Sequence, residues 1–163
     1  MNYETLLVDK DERGVVSLTL NRPEKRNALS AKMIDELTSF ATSLTSDIRV
    51  TVIQGSGNLF CAGGDLEWMH AQINADRSTR IVQARKLAFM LKALNELPVP
   101  LIAKVHGAAY GGGVGLACVC DFVISCSNVK FGFTETRLGL IPSTIGPYVV
   151  GKMGEAKARE VFM

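Results

Sequence analysis

The sequence predicts an α/β layered domain, and three observations carry that reading. Apolar, β-branched runs alternate along the chain with longer segments whose apolar residues recur at helical spacing. Two glycine-broken passages, Cys61-Ala62-Gly63-Gly64-Asp65 and Gly111-Gly112-Gly113, each stand between an apolar run and a helical stretch. The 163 residues are 47% hydrophobic and 21% charged, the balance of a globular chain that builds one core without a covalent staple.

Taken in order, the chain opens with apolar runs at 4–9 and 14–20, separated by the charged turn DKDERG, which reads as a hairpin. NRPEKRNALS follows, with Pro23 and Asn27 marking irregular backbone. Ser30 is a candidate N-cap for a helix over 31–45, whose one face carries Met33, Leu37, Phe40, Ala41 and Leu44. RVTVIQGSG is a strand closed by a glycine turn, and FCAGGDLEWM is a second strand-to-helix passage. Residues 77–96 read as a long helix striped by Ile81, Leu87, Met90, Leu91 and Leu94. PVPLIAKV is the next strand, GGGVGLACV the next helix and DFVIS the next strand. KFGFTETRLGLIP is expected to be irregular, and STIGPYVVGKMGEAKAREVFM mostly helical. The chain stops at Met163 inside that segment, an abrupt end expected of a truncated chain. Residues 1–163 are read as one core domain.

Composition excludes several function classes. Net charge is +2 with Lys and Arg dispersed, which is not the footprint of a nucleic-acid or membrane-surface binder. Cys61, Cys118, Cys120 and Cys126 are expected as reduced thiols. MNYETLLVDK lacks an apolar core, so it resembles neither a secretory signal nor a transit peptide, and no apolar run approaches the ~20 residues that span a bilayer. A cytoplasmic protein is the default expectation. GPYVVGK has phosphate-loop spacing, but Met153 stands where Ser or Thr is required and Pro147 removes an N–H. Cys118 and Cys120 do not share a helix face, His70 and His106 lack metal-ligand spacing, and no serine sits in a nucleophile elbow, so no metal and no serine hydrolase is expected.

The chemistry-bearing candidates are the two glycine passages and Glu135. Glycines at a helix start leave backbone N–H groups uncovered, and such groups suit a negative oxygen. If the passages lie side by side, the N–H groups of Gly64 and Gly112 could donate to one carbonyl oxygen, and one such donor contributes ~2.7–4 kcal/mol to a transition state. Glu135, alone in the stretch GFTETR, is a candidate acid or base. Each feature has a plainer alternative. The glycines would also let a helix and a strand approach closely, and Glu135 would also serve as a solvated loop residue or an ion-pair partner of Arg137. Asp65 and Glu67 read first as helix-capping residues, and Asp121 as structural.

Together these residues resemble the enoyl-CoA hydratase/isomerase (crotonase) superfamily. The matching pieces are Asn21-Arg22-Pro23 with Asn27-Ala28-Leu29, Phe60 to Leu66, Pro98-Val99-Pro100, Gly107 to Gly113, Cys120-Asp121, and Glu135 through Gly139-Leu140-Ile141-Pro142. The resemblance implies a crotonase-like spiral of repeated ββα units that binds an acyl-CoA, usually as trimers paired into hexamers, with a C-terminal helical segment that this chain lacks. It implies Gly64 and Gly112 as oxyanion donors and Glu135 as a catalytic glutamate. It places Lys25, Arg26 and Ala28 at the CoA nucleotide, Ala62, Asp65 and Leu66 along the adenine and pantetheine path, and Trp68 and Met69 toward the acyl tail. No cofactor is implied, since coenzyme A enters as the substrate thioester.

One departure bears on mechanism. In members that use two glutamates, the first follows the triple glycine by two positions, and that position here is Gly115. GGGVGLACVCD followed by TETRLGLIPSTIGPYVVGKMGEAKARE is similar to bacterial methylglutaconyl-CoA hydratase-like members. The expected activity is therefore hydration of an enoyl-CoA, with Δ3-Δ2 enoyl-CoA isomerisation by one glutamate, or acyl-CoA binding without catalysis, as alternatives.

Overall fold

A computed structural model describes residues 2–163, apart from the side chains of Arg137 and Leu138. The strands are β1 (Leu6–Lys10), β2 (Val15–Leu20), β3 (Val50–Gly55), β4 (Leu101–Val105), β5 (Ala108–Tyr110), β6 (Phe122–Ser125) and β7 (Lys130–Gly132). The helices are α1 (Ala31–Thr42), α2 (Leu66–Asn74), α3 (Arg77–Asn95), α4 (Gly112–Cys118), α5 (Gly146–Met153) and α6 (Glu155–Phe162). Short 3-10 turns occupy Pro23–Lys25 and Glu135–Leu138.

β1 and β2 form the expected hairpin, with Leu6 opposite Leu20. Val16, Leu18 and Leu20 point inward while Val15, Ser17 and Thr19 are half-buried, the period-two pattern of a strand with one covered face. From β2 onward the main sheet is parallel, in the order β1-β2-β3-β4-β6. Parallel neighbours need crossovers, and the chain supplies them through α1, through α2 with α3, and through β5 with α4.

α1 starts where Ser30 Oγ accepts the Met33 N–H at 3.2 Å, and it buries Met33, Ile34, Leu37 and Phe40. Across from it, α3 buries Met90, Leu91 and Leu94, while Ile81 and Leu87 of the expected stripe stay half-buried. All join one apolar cluster with Leu18, Ile53, Phe60 and Ala103.

Two elements depart from expectation. The stretch expected to be irregular after β6 contains β7, which pairs in parallel with β5, Ala108 opposite Lys130 and Tyr110 opposite Gly132. Strands this short carry no readable alternation, and only the tertiary pairing fixes them. The FCAGG passage, expected as a strand, contributes a single parallel bridge from Cys61 to Ala109.

Lys152, the lysine of the rejected phosphate-loop pattern, donates to the carbonyls of Cys120 and Asp121 at 2.6 and 2.8 Å, closing the end of α4. The Asp121 carboxylate accepts the Leu101 N–H at 2.8 Å, as its structural reading requires. All four cysteines are free, and burial pushes the Cys61 and Cys120 thiols up to about 12. Among the described residues no helix is long and apolar enough to cross a membrane.

Glu36 is buried on α1 and holds the N-terminal segment. It accepts the Glu4 and Thr5 N–H groups at 2.9 Å each and the Thr5 hydroxyl at 2.5 Å. Burial alone would raise its pKa, but these hydrogen bonds and nearby Lys32 outweigh it and hold the carboxyl below its ordinary value. With the folded value depressed, the stabilisation is whole above the unfolded glutamate pKa near ~4.3 and is lost as pH falls through the folded value. Glu36→Ala is expected to cost about 2–3 kcal/mol in urea unfolding at neutral pH, with the gap to wild type closing in acid.

Candidate active site

Three backbone segments run side by side, with β5 in the middle. On one flank the Tyr110 N–H donates to the Cys61 carbonyl at 3.0 Å, and the Cys61 N–H to the Ala108 carbonyl at 3.3 Å. On the other flank β7 pairs with β5, and the Gly111 N–H donates to the Gly132 carbonyl at 2.9 Å. Beyond Cys61, Leu29 bridges Gly64, its N–H donating to the Gly63 carbonyl at 2.8 Å. Because these pairings are parallel, the chain leaves each segment at the same end. Gly63-Gly64, Gly111-Gly112 and Thr134-Glu135 therefore emerge together, although their sequence positions are far apart.

Glycine is required at two of these exits. At Gly63 φ is +96°, and a Cβ would lie 2.9 Å from the Tyr110 carbonyl oxygen. At Gly111 φ is +47°, and a Cβ would lie 2.9 Å from Glu135 Oε1, so the carboxylate rests against the bare glycine. The two glycine passages touch, since a Cβ on Gly112 would stand 3.8 Å from the Gly63 backbone. Neither the Gly64 N–H nor the Gly112 N–H has an acceptor among the described residues.

Glu135 opens its 3-10 turn, and its carbonyl is fixed by the Leu140 N–H at 2.9 Å. Its Oε2 is buried with no hydrogen-bond partner among the described residues. A buried unpaired acceptor costs ~1–3 kcal/mol, which calls for an explanation beyond stability. The alternative partner, the Arg137 side chain, lies outside the described residues.

Two adjoining cavities collect the candidates. The first, about 210 Å³, is lined by Gly64, Gly112, Glu135, Trp68, Met69 and Ile145 among others, and Glu135 is the one ionisable residue in its described lining. The second, about 580 Å³, is lined by Lys25, Arg26, Ala28 and Asp65. Ala62, Gly64, Leu66 and Thr134 line both, so the two make a continuous groove. All eleven residues expected at the site border it.

Asp65, Lys25 and Glu67 of the outer cavity are already engaged. Asp65 caps α2 by accepting the Glu67 and Trp68 N–H groups at 2.9 and 3.2 Å, and its other oxygen takes Arg22 at 2.8 Å. Burial would raise the Asp65 pKa, but Arg22 and the capped N–H groups hold it below the usual range. Lys25 pairs with Glu67 at 2.6 Å at the groove mouth, and that hydrogen bond raises its pKa. Arg26 is exposed in a left-handed conformation, and its carbonyl accepts the Ala62 N–H at 3.0 Å.

Sequence reasoning passed over Asn27 as a positioning residue. It is fully buried at φ +52°, donates to the Ser56 and Leu59 carbonyls at 2.8 and 3.0 Å, and accepts the Arg22 N–H at 3.0 Å. The available signal was its asparagine type, which tolerates the left-handed region better than most residues.

With this geometry established, a family model described as enoyl-CoA hydratase/isomerase matches residues 10–163. The chain belongs to that family. It is 39% identical over its whole length to the probable enoyl-CoA hydratase echA8 of Mycobacterium tuberculosis, of which it covers 62%. It is 35% identical to a probable enoyl-CoA hydratase of Bacillus subtilis, with 99% of this chain and 62% of that one aligned. Among solved structures, Pseudomonas aeruginosa AtuE superposes with a TM-score of 0.93 at 38% identity, covering 98% of this chain and 62% of the other. The chain thus spans about 62% of the length of these relatives. The expected crotonase-like α/β fold is the one these neighbours share.

Asn27→Ala is expected to lower unfolding free energy by about 2–4 kcal/mol, because it leaves two half-buried carbonyls and the Arg22 N–H without their partner and puts an unfavourable φ on alanine. Chemical denaturation measures this directly.

Proposed function

We propose that this chain is the catalytic core of an enzyme that hydrates an enoyl-CoA through a thioester enolate. One observation carries the reading: Gly64 and Gly112, whose N–H groups have no acceptor among the described residues, border the same cavity as Glu135, whose buried Oε2 has no partner among them. The N–H pair receives the thioester oxygen and strengthens its hold as negative charge develops there. Glu135 takes a proton from water as the water oxygen bonds to the β carbon. The electron pair of the double bond moves into the enolate, and the same carboxyl returns the proton to the α carbon. One carboxyl thus serves as base and then acid.

The groove accounts for the rest of the substrate. Lys25, Arg26 and Ala28 take the nucleotide end, and Ala62, Asp65 and Leu66 line the pantetheine path. Asp65 acts there chiefly by fixing α2, since its carboxylate is committed to Arg22 and the helix cap. Trp68 and Met69 border the acyl end. A branched or carboxylated acyl group of the methylglutaconyl kind is the proposed substrate, on the strength of the local resemblance in 111–160, in a cytoplasmic trimer or hexamer. The similarity to the probable enoyl-CoA hydratases of Mycobacterium tuberculosis and Bacillus subtilis supports hydration.

A second reading is migration of the double bond between the Δ3 and Δ2 positions. The presence of a single ionisable residue in the described cavity lining favours it, because moving one proton between two carbons needs one base. Glu135→Gln is expected to lower turnover of either kind by ~10²–10⁴-fold while acyl-CoA binding, followed by calorimetry, is retained. Unchanged turnover would remove Glu135 from the chemistry. Binding without turnover in both proteins would leave a non-catalytic acyl-CoA binder.

A further inference from the structure

Behind the cavity wall, Gly115 on α4 and Ile145 at the start of α5 fill one another's space. A Cβ on Gly115 would lie 2.4 Å from Ile145 Cγ2 and 2.9 Å from Ile145 Cβ. The second contact matters more, because a Cβ moves only with its backbone, whereas rotation about χ1 could shift Cγ2. That backbone is held, since the Ile145 carbonyl accepts the Tyr148 and Val149 N–H groups at 3.0 and 3.1 Å. Ile145 is 3% exposed and borders the cavity that holds Glu135. Gly115 is buried and does not border it.

We propose that Ile145 is the specificity-determining residue of this site, standing over Gly115 so that protons reach the bound acyl carbons only from Glu135. The assignment rests on the acyl-CoA site proposed above and bears on the balance between its hydration and double-bond-migration readings. No side chain longer than hydrogen fits at 115 while Ile145 holds its place, so the position is closed to a second acid. The hydrocarbon of Ile145 offers neither water nor an acid a hydrogen bond on that side. Ser143 and Thr144 also border the cavity, but their hydroxyls do not titrate near neutral pH. Glu135 then removes a proton from the α carbon of a 3-enoyl thioester. The freed electron pair passes into the dienolate, and the same carboxyl returns the proton to the γ carbon. No water is consumed. Hydration requires instead that a water enter beside Glu135, and the bulk of Ile145 sets how readily it does.

The test uses the full-length protein with a 2-enoyl-CoA and its 3-enoyl isomer, and reads the ratio of hydration to double-bond migration. Ile145→Ala is expected to raise that ratio by about tenfold, the scale that one or two methyl groups command in an apolar pocket. Gly115→Ala alone is expected to lower the melting temperature and both rates, and adding Ile145→Ala, which removes the Cγ2 contact but keeps the Cβ, is expected to restore them in part. An unchanged ratio in folded Ile145→Ala, or a Gly115→Ala protein that behaves as wild type, would overturn the role of Ile145. If wild type acts on neither thioester, the proposed function fails and the specificity role with it. The melting temperatures of the two single variants and the double variant would still report the Gly115–Ile145 contact.

Discussion

The site depends on a few backbone hydrogen bonds around β5, a strand of three residues. Cys61 pairs along one edge of it and β7 along the other, both in parallel. Strands this short are not stable by themselves. They hold because Phe60, Cys61 and Ala109 are fully buried in the main core. Small residues make the closeness possible, as at Gly113, where a Cβ would stand 2.5 Å from the Cys61 carbonyl oxygen. Parallel pairing then does what antiparallel pairing could not. It sends three chain exits to one end, so two amides and a carboxylate meet without any of them being neighbours in sequence.

Holding those exits open has a thermodynamic cost, and the surrounding loops offset it. Gly64 and Gly112 keep N–H groups that no acceptor satisfies among the described residues, and Glu135 keeps an unpaired oxygen. Such groups persist only when neighbouring structure fixes them. Arg22 closes its own loop by donating to the Ala28 carbonyl at 2.7 Å and ties it to the start of α2 by donating to Asp65 at 2.8 Å. Asn27 ties the same loop to the turn after β3. The NRPEKRNAL stretch, charged and irregular as sequence, is thus the brace of the Gly64 turn.

Much of this was legible in the sequence, and the gaps have physical causes. The hairpin, α1 with its Ser30 cap, and α3 were readable because apolar periodicity over many residues reports one covered face. The glycines at 63, 64, 111 and 112 were readable as breaks, and their adjacency was a conditional expectation that the touching backbones meet. β5 and β7 were not readable, because three residues contain no period. Nor was Ile145, whose role depends on what lies opposite it. A glycine at 115 announces only a missing side chain, and the residue filling that space is thirty positions away on another helix.

The distribution of charge bears on the role proposed for the lone carboxylate. A cation placed in the first cavity would polarise a carbonyl strongly, but it would also pair with Glu135 and occupy the carboxylate. Neutral amides avoid that conflict. They concentrate partial positive charge where an oxyanion develops and leave the carboxylate unquenched. Two nearby cations are held elsewhere, Arg22 by Asp65 and Lys25 by Glu67, and Arg26 lines only the outer cavity. The apolar side chains of Leu29, Leu87, Trp68 and Ile145 around the cavity lower the local dielectric, which strengthens the amide donors. The groove therefore separates charge from hydrocarbon by position. Charge lies along the outer cavity, where the nucleotide of the proposed substrate would be met, and the inner cavity is left to hydrocarbon, two backbone dipoles and one carboxylate.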